Sequence, residues 1–284
     1  MKTTLLFLSV FLSASLFGQT AGTGAIDIDG NYYESVIIGD QEWLTMNLKT
    51  SHFADGTPIP NVESPVDWES LTSPGWAFYD NDENNEMIYG KLYNWFTIES
   101  NQNICPAYWN VPSKEDWSIL KSYLTVNGYD GAEAYGLLST SGWDEGTGGT
   151  SVNWNGDDNF GFSALPGGAR SNYGWYEYLG EIAHWWSRSP LNNPWDDSAF
   201  FQLIVSAIDL GQGMPVPSSY PRNYGMSIRC IKDESNQLSE ILNVPKNLTK
   251  ILDLMGRETT FKPNTPLIYV YDDGSIEKVF SVEY

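Results

Sequence analysis

Cysteine, histidine and positive charge are all scarce in this sequence. Its 284 residues include two cysteines (Cys105, Cys230), two histidines (His52, His184) and only 15 lysines and arginines. With no CxxC pair and no His/Cys cluster, a structural zinc site is not expected. Against 36 acidic residues, the few cations leave a formal charge of -21 at pH 7. A nucleic-acid binder needs a basic footprint to displace counterions, and an anionic membrane surface repels so acidic a chain. Beyond the N-terminal segment no run approaches the roughly 20 apolar residues of a bilayer span. No Walker lysine follows the glycine-rich stretch 146–149, so a phosphate cradle is absent. No repeat of solenoid or propeller period occurs either.

Aromatic residues, by contrast, are abundant at 14%, with 12 Trp and 17 Tyr. Disordered acidic chains lack such side chains, so the composition describes a folded protein. At the N-terminus, Lys2 precedes a short apolar run over 5–17 and then Gly18-Gln19-Thr20-Ala21. That pattern predicts a secretory signal peptide over 1–18, with cleavage as late as 21. The run is too short for a membrane anchor, and no cysteine nearby could carry a lipid. Export to the cell surface or the medium is expected. In an oxidising compartment Cys105 and Cys230 are candidates for a disulfide, two buried thiols being the alternative.

The body, 24–233, opens with a strand over 33–38, a turn at Gly39-Asp40 and a return over 41–48. A long loop rich in Pro, Asp, Asn and Gly then covers 52–85. Ser113 and Asp116 have capping-box spacing, so a helix starts there. Trp117, Leu120 and Leu124 recur along its buried stripe, broadened by Ile119 and Tyr123, until Asn127-Gly128 stops it. A second, shorter helix is predicted over 130–138, capped by Asp130. Strands are predicted over 160–165, 182–187, 198–209 and 224–232. The order hairpin, loop, helices, strands is an α+β plan with long loops.

Several phrases in this body resemble the Fibrobacter succinogenes major paralogous domain, an exported family. They are Ile38-Gly39-Asp40-Gln41-Glu42-Trp43 with Asn47-Leu48, then Tyr89-Gly90-Lys91-Leu92-Tyr93-Asn94-Trp95, and Cys105-Pro106 leading through Trp109 to Val111-Pro112. Gly142-Trp143, Asn159-Phe160-Gly161-Phe162-Ser163-Ala164-Leu165-Pro166-Gly167-Gly168, Trp185-Trp186-Ser187 and Ser227-Ile228-Arg229-Cys230 follow in order. The resemblance implies a C-type lectin-like domain. In such domains the first and last strands pair, and a disulfide ties the first-helix region to a late strand, a role that Cys105 and Cys230 suit.

After Asp233 the composition changes. A polar linker, 234–243, leads into 244–284, where Lys250-Ile251-Leu252-Asp253-Leu254-Met255-Gly256-Arg257 reads as strand and turn. Leu267-Ile268-Tyr269-Val270-Tyr271 is a β-rich run, Asp272-Asp273-Gly274 a hairpin turn and 276–282 its return. This small all-β segment resembles the C-terminal sorting domain of the type IX secretion system of Bacteroidota. It lacks the Pro-Asn-Pro-like opening of the longer forms, so it is identified as a short variant. The resemblance implies a partner, the type IX secretion machinery, and removal after the outer membrane is crossed.

Candidate ligand contacts lie in two aromatic loops. Trp185, Trp186, Arg188, Trp195, Asp196 and Asp197 flank one late loop. Tyr173 and Trp175, with Tyr176 and Tyr178, occupy another. Aromatic faces cover sugar C–H groups while acids and amides bond the hydroxyls, a mixture that suits a glycan. The plainer reading is core packing, and alternation along a strand lets at most one of Trp185 and Trp186 point outward. Asp80, Asp82 and Asn84 offer oxygen ligands at calcium-loop spacing, yet Asn85 and Lys91 stand where an EF-hand has Gly and an acid. Calcium there competes with a plain acidic loop, and Asp157-Asp158 is weaker still. Asn193-Pro194-Trp195-Asp196-Asp197 echoes the lectin calcium pattern without matching it, so that site is not carried over.

Neither histidine has a sequence-evident nucleophile partner. Formylglycine-generating enzymes share a broadly related fold but use reactive cysteines, and here both cysteines are assigned to a disulfide. The expectation is therefore a non-enzymatic binding module for a glycan or an extracellular protein. A structural protein of the cell envelope is the alternative.

Overall fold

A computed structural model describes residues 19–144, 155–190, 198–205, 218–233, 248–253, 256–271 and 276–280. The expected signal peptide and the linker lie outside these residues. The chain divides into two units, Met1–Lys232 and Asp233–Tyr284.

The first unit begins with β1 (Thr20–Ala21) and a small ribbon of β2 (Ala25–Ile26) and β3 (Tyr32–Tyr33). The expected hairpin follows as β4 (Ser35–Ile38) and β5 (Gln41–Leu44), and β1 pairs antiparallel with β4. Gly39 makes the turn at φ +64, where a side chain would be strained and would also strike the Tyr123 ring. Glu42 straps the entering chain down. Its Oε1 accepts from the Thr23 N–H at 2.5 Å and the Ser35 hydroxyl at 2.6 Å, while Oε2 meets Lys232 Nζ at 3.2 Å. Burial alone would raise this carboxyl's pKa; the hydrogen bonds from Ser35, Thr23 and Lys232 outweigh it and hold it below the usual range.

The long loop carries short elements seated by buried rings. Helix α1 (Pro65–Glu69) has Ser64 as its N-cap, accepting from the Asp67 N–H, and proline at its start. Its Trp68 is fully buried. Next come β6 (Trp76–Ala77), α2 (Glu86–Tyr89), β7 (Leu92–Tyr93) and α3 (Phe96–Glu99). Trp76 donates its indole N–H to the Ile59 carbonyl at 2.8 Å, fixing the loop to β6.

Strand β8 (Trp109–Asn110) leads to α4 (Lys114–Leu124), which has the predicted capping box between Ser113 and Asp116. Trp117, Leu120 and Leu124 are buried, contributing on the order of 6 kcal/mol against the unfolded chain. Ile119, expected on the same stripe, is 54% exposed, so the buried face is narrower than predicted. The predicted second helix over 130–138 does not form. Gly131 sits at φ +75, and tight turns donate from Ala132 N–H to Tyr129 O and from Tyr135 N–H to Ala132 O.

The predicted strand over 160–165 is also absent, because Gly161 and Ser163 adopt φ +69 and +54 and curl the chain. The strand forms later, as β9 (Gly167–Arg170), with β10 (Tyr176–Leu179), β11 (Ile182–Pro190), β12 (Ser198–Val205) and β13 (Ser218–Pro221) in one sheet ordered β10-β9-β11-β12-β13. The reach predicted over 224–232 is bridged at 225–227 and ends as β14 (Ile231–Lys232), which pairs with both β5 and β8. The resulting sheet is ordered β1-β4-β5-β14-β8, so an early and a late strand lie side by side.

Strand β11 is the wall between two cores. Trp185 packs with Trp43, Trp117 and Phe162 on one side, and Trp186 with Tyr93, Trp109 and Met226 on the other. Cys105 and Cys230 form a disulfide in the second of these clusters, with Cα atoms 6.0 Å apart. Closing a separation of 125 residues removes about 4–5 kcal/mol of unfolded-state entropy in the chain-entropy model.

In the second unit, β15 (Leu248–Leu252), β16 (Leu267–Tyr271) and β17 (Ile276–Val279) form a three-stranded antiparallel sheet in that order. Among the described residues, no helix is long and apolar enough to cross a membrane.

Candidate ligand-binding surface

The hairpin of β9 and β10 ends in a tip whose backbone is held from several sides. Ser171 closes it: its N–H donates to Trp175 O at 2.7 Å, its carbonyl accepts from Gly174 N–H at 2.9 Å, and its hydroxyl accepts from Trp175 N–H at 3.2 Å. Arg170, fully buried, fastens the tip to the loop before α1. Its Nε donates to Gly174 O at 3.1 Å, Nη2 to Glu63 O at 2.7 Å, and Nη1 to Val62 O. The guanidinium lies 4.4 Å from the Trp68 ring and 4.9 Å from the Tyr176 ring. Burial lowers its pKa, with Tyr176 and Glu63 pulling the other way. Gly174 adopts φ +83, and a Cβ there would stand 2.5 Å from the Pro65 Cα. Only glycine lets the tip lie this close to α1.

On this fixed backbone, Tyr173 is 59% and Trp175 67% exposed. Tyr178, exposed at the base of the hairpin, sits at φ +65, an unusual conformation for a bulky residue. Large rings left in water by a fixed loop are the feature of this surface that asks for a ligand.

Arg188, the third sequence candidate to reach solvent, lines a cleft of about 210 Å³ with Asn101, Asn103, Asn110, Ile98 and Val111. Its guanidinium stands 4.0 Å from the Asp116 carboxylate. Asn103 braces the cleft wall by donating to Trp109 O at 2.8 Å and accepting from Cys105 N–H at 3.0 Å.

Trp185 and Trp186 are corrected. Both are 0% exposed, one in each core, so neither offers a face to a ligand. Trp185 Nε1 donates to Asn47 Oδ1 at 2.8 Å and Trp186 Nε1 to Tyr93 O at 2.7 Å, as buried indoles require. Trp195, Asp196 and Asp197 lie outside the described residues. At the calcium-spaced loop, Asp82 Oδ1 accepts from the Asn84 N–H at 3.0 Å and from its side-chain amide at 2.7 Å. The Asn84 side chain thus turns donors, not its carbonyl oxygen, toward Asp82. Among the described residues, no three His, Cys, Asp or Glu side chains gather as a metal site.

His52 has a partner that the sequence did not reveal: its Nδ1 lies 2.6 Å from Asp29 Oδ1. Ser51 donates its hydroxyl to Asp29 Oδ2 at 3.0 Å rather than to the imidazole, so the three residues staple a loop and are not wired as a nucleophile and base. The residues missed at the tip and the cleft, Arg170 and the amides of Asn101, Asn103 and Asn110, come from segments far apart in the chain. The amide-rich run 100–103 was visible, but without a period or partner it carried no signal.

The match to known families falls on the body of the chain. The family model of the Fibrobacter succinogenes major domain covers residues 36–232. The chain belongs to this family. The matched segment contains the hairpin tip, the cleft and both cysteines. No curated protein matches the chain, and no solved structure does.

Proposed function

We propose that this member of the family is an exported, surface-displayed or secreted binding module, not an enzyme, that recognises a glycan through a C-type lectin-like domain. The observation that carries the reading is the hairpin tip, where Tyr173 and Trp175 stay exposed on a backbone fixed by Arg170 and Gly174. Exposed rings that need no rearrangement to meet a partner bind at low entropic cost. The lectin-like assignment draws support from α4 preceding the late sheet, from β14 lying beside β5, and from the disulfide that joins Cys105, ahead of α4 in the chain, to Cys230, just before β14. With both cysteines paired, the reactive thiol of a formylglycine-generating-type enzyme has no source here, which favours the non-enzymatic reading.

Export follows the same line. Cleavage after Gly18 leaves β1 on the sheet edge, whereas cleavage after Ala21 removes it. The three-stranded sheet of the second unit is consistent with a type IX sorting domain; deleting 244–284 should then trap the chain in the periplasm. Unchanged export of the truncated chain would refute that role.

The direct test of the binding reading is retention of the full chain on a panel of immobilised polysaccharides, with calcium and with chelator. Retention is expected in both, because Asp82 and Asn84 close on each other. Loss in chelator would instead assign calcium to the Asp80, Asp82 and Asn84 loop. Absence of retention on every glycan would overturn the reading in favour of an envelope protein without a small ligand.

A further inference from the structure

We propose that the hairpin tip and the Arg188 cleft are the two ends of one elongated site that holds an uncharged glycan chain lengthwise. The proposal rests on the glycan reading above and adds the length and charge of the ligand.

One turn joins the two ends. Asn223 donates its amide to the carbonyl of Asn172, the residue before Tyr173, at 3.2 Å, and to the carbonyl of Glu69 at the end of α1 at 3.0 Å. Beside it, Arg222 reaches the other way. Its Nη1 meets both carboxylate oxygens of Glu99 at 2.9 and 2.8 Å, and its guanidinium lies 4.9 Å over the Trp95 ring. Glu99 ends α3, and the next two residues, Ser100 and Asn101, already line the cleft. Hydrogen bonds therefore tie Asn172, the residue before Tyr173, to Asn223, and neighbouring Arg222 to Glu99, two residues before Asn101. Every residue on that path is partly or fully exposed.

Size points to a chain rather than a single small molecule. The cleft, about 210 Å³, falls below the roughly 300 Å³ at which pockets for drug-sized ligands begin. The tip is a platform with rings standing in water. Neither end encloses a ligand, but an open aromatic face followed by an amide-lined notch fits successive rings of a polymer.

Charge selects the kind of polymer. The cations along the path already face oxygen: Arg170 lies on backbone carbonyls, Arg222 on Glu99, and Arg188 toward Asp116. Exposed Glu63, Asp67 and Glu69 stand beside the tip, and the whole chain carries -21. An acidic polysaccharide would be repelled at long range, whereas an uncharged one meets no such barrier.

The test is calorimetric titration of the full chain with ladders of neutral gluco- and manno-oligosaccharides, from disaccharide to heptasaccharide, and with oligogalacturonates as the acidic counterpart. Affinity for one neutral ladder should climb with length and then level off. Trp175→Ala and the double variant Asn101→Ala/Arg188→Ala should each cost the longest member about tenfold, while the disaccharide responds to only one of them. All three positions are exposed, so the fold is expected to survive, which circular dichroism checks. If affinity is flat with length, or the double variant is silent while Trp175→Ala is not, the elongated site is wrong and the glycan reading stands. A preference for oligogalacturonates would overturn the uncharged ligand. If no ladder binds, the glycan reading fails and this proposal with it.

Discussion

Two tryptophan-bearing segments in this molecule look alike in sequence and end in opposite environments. Strand β11 carries Trp185 and Trp186, and the tip between β9 and β10 carries Tyr173 and Trp175. On β11, alternation sends the two indoles to opposite faces, as any strand must. The common inference would place one of them in water. Instead β11 is hydrogen-bonded between β9 and β12, and each of its faces meets a separate core. Among the described residues, the tip has no such partners above it. Arg170, Gly174 and Pro65 hold it from below, leaving its rings to solvent. Aromatic content alone therefore says nothing about exposure; the number of packed layers around a segment decides it.

The contrast is broken most severely in the core. Trp185→Ala should cost about 4 kcal/mol, because it empties a well-packed site and removes the indole hydrogen bond to Asn47 Oδ1, leaving that oxygen to Arg229. Chemical denaturation would read this as a lower midpoint, and a cost below about 1 kcal/mol would show that β11 is not the wall described here.

The second effect is pH-dependent and belongs to the same strand. His184 is buried, and burial lowers its pKa to about 4, with a hydrogen bond to the Gly168 backbone pulling upward. The unfolded chain binds this proton near pH 6.5, so the folded state is favoured fully above that value. As pH falls from about 6.5 to about 4, on the order of 3 kcal/mol of stability is lost. Thermal melts of wild type and His184→Gln across that window should diverge in slope. Parallel slopes would place a neutral-to-charged change elsewhere.

Gly174→Ala is the intermediate case. It places a Cβ at φ +83 against the Pro65 backbone, at a cost of about 2 kcal/mol, and lifts the tip away from α1. Binding should fall with stability, which separates this variant from the core one, where folded molecules still bind. An unchanged melting temperature would mean that the tip is not pinned.

Much of this layout could be read from residue order. The β4–β5 hairpin followed from Gly39-Asp40 between two apolar runs, and α4 from the Ser113–Asp116 box and its apolar spacing. These signals are local, so they survive without tertiary information. The failures are equally instructive. Turns at 130–138 and 160–165 depend on Gly131, Gly161 and Ser163 taking positive φ, which the surrounding packing imposes. The buried arginines were invisible for the same reason. Arg229, in the phrase that marks the family, lies 4.4 Å from the Phe162 ring and donates to Asn47 Oδ1 at 3.0 Å. Burial pushes its pKa down to about 9, with Asp158 pulling upward. At the candidate surface, residue order left Tyr173 and Trp175 open between ligand contact and core packing; their exposure, and the path through Arg222 and Asn223, exist only in three dimensions.

The smallest expected effect on stability is the most telling for function. Trp175→Ala should leave the unfolding free energy within about 0.5 kcal/mol of wild type, since its ring stands largely in water. Measured on one preparation, its stability and its retention on the glycan that holds the wild-type chain test the central claim together. The account predicts unchanged stability with retention reduced about tenfold or more. Unchanged stability with unchanged retention would contradict it, and would make the exposed tip an ornament of the fold rather than its binding face.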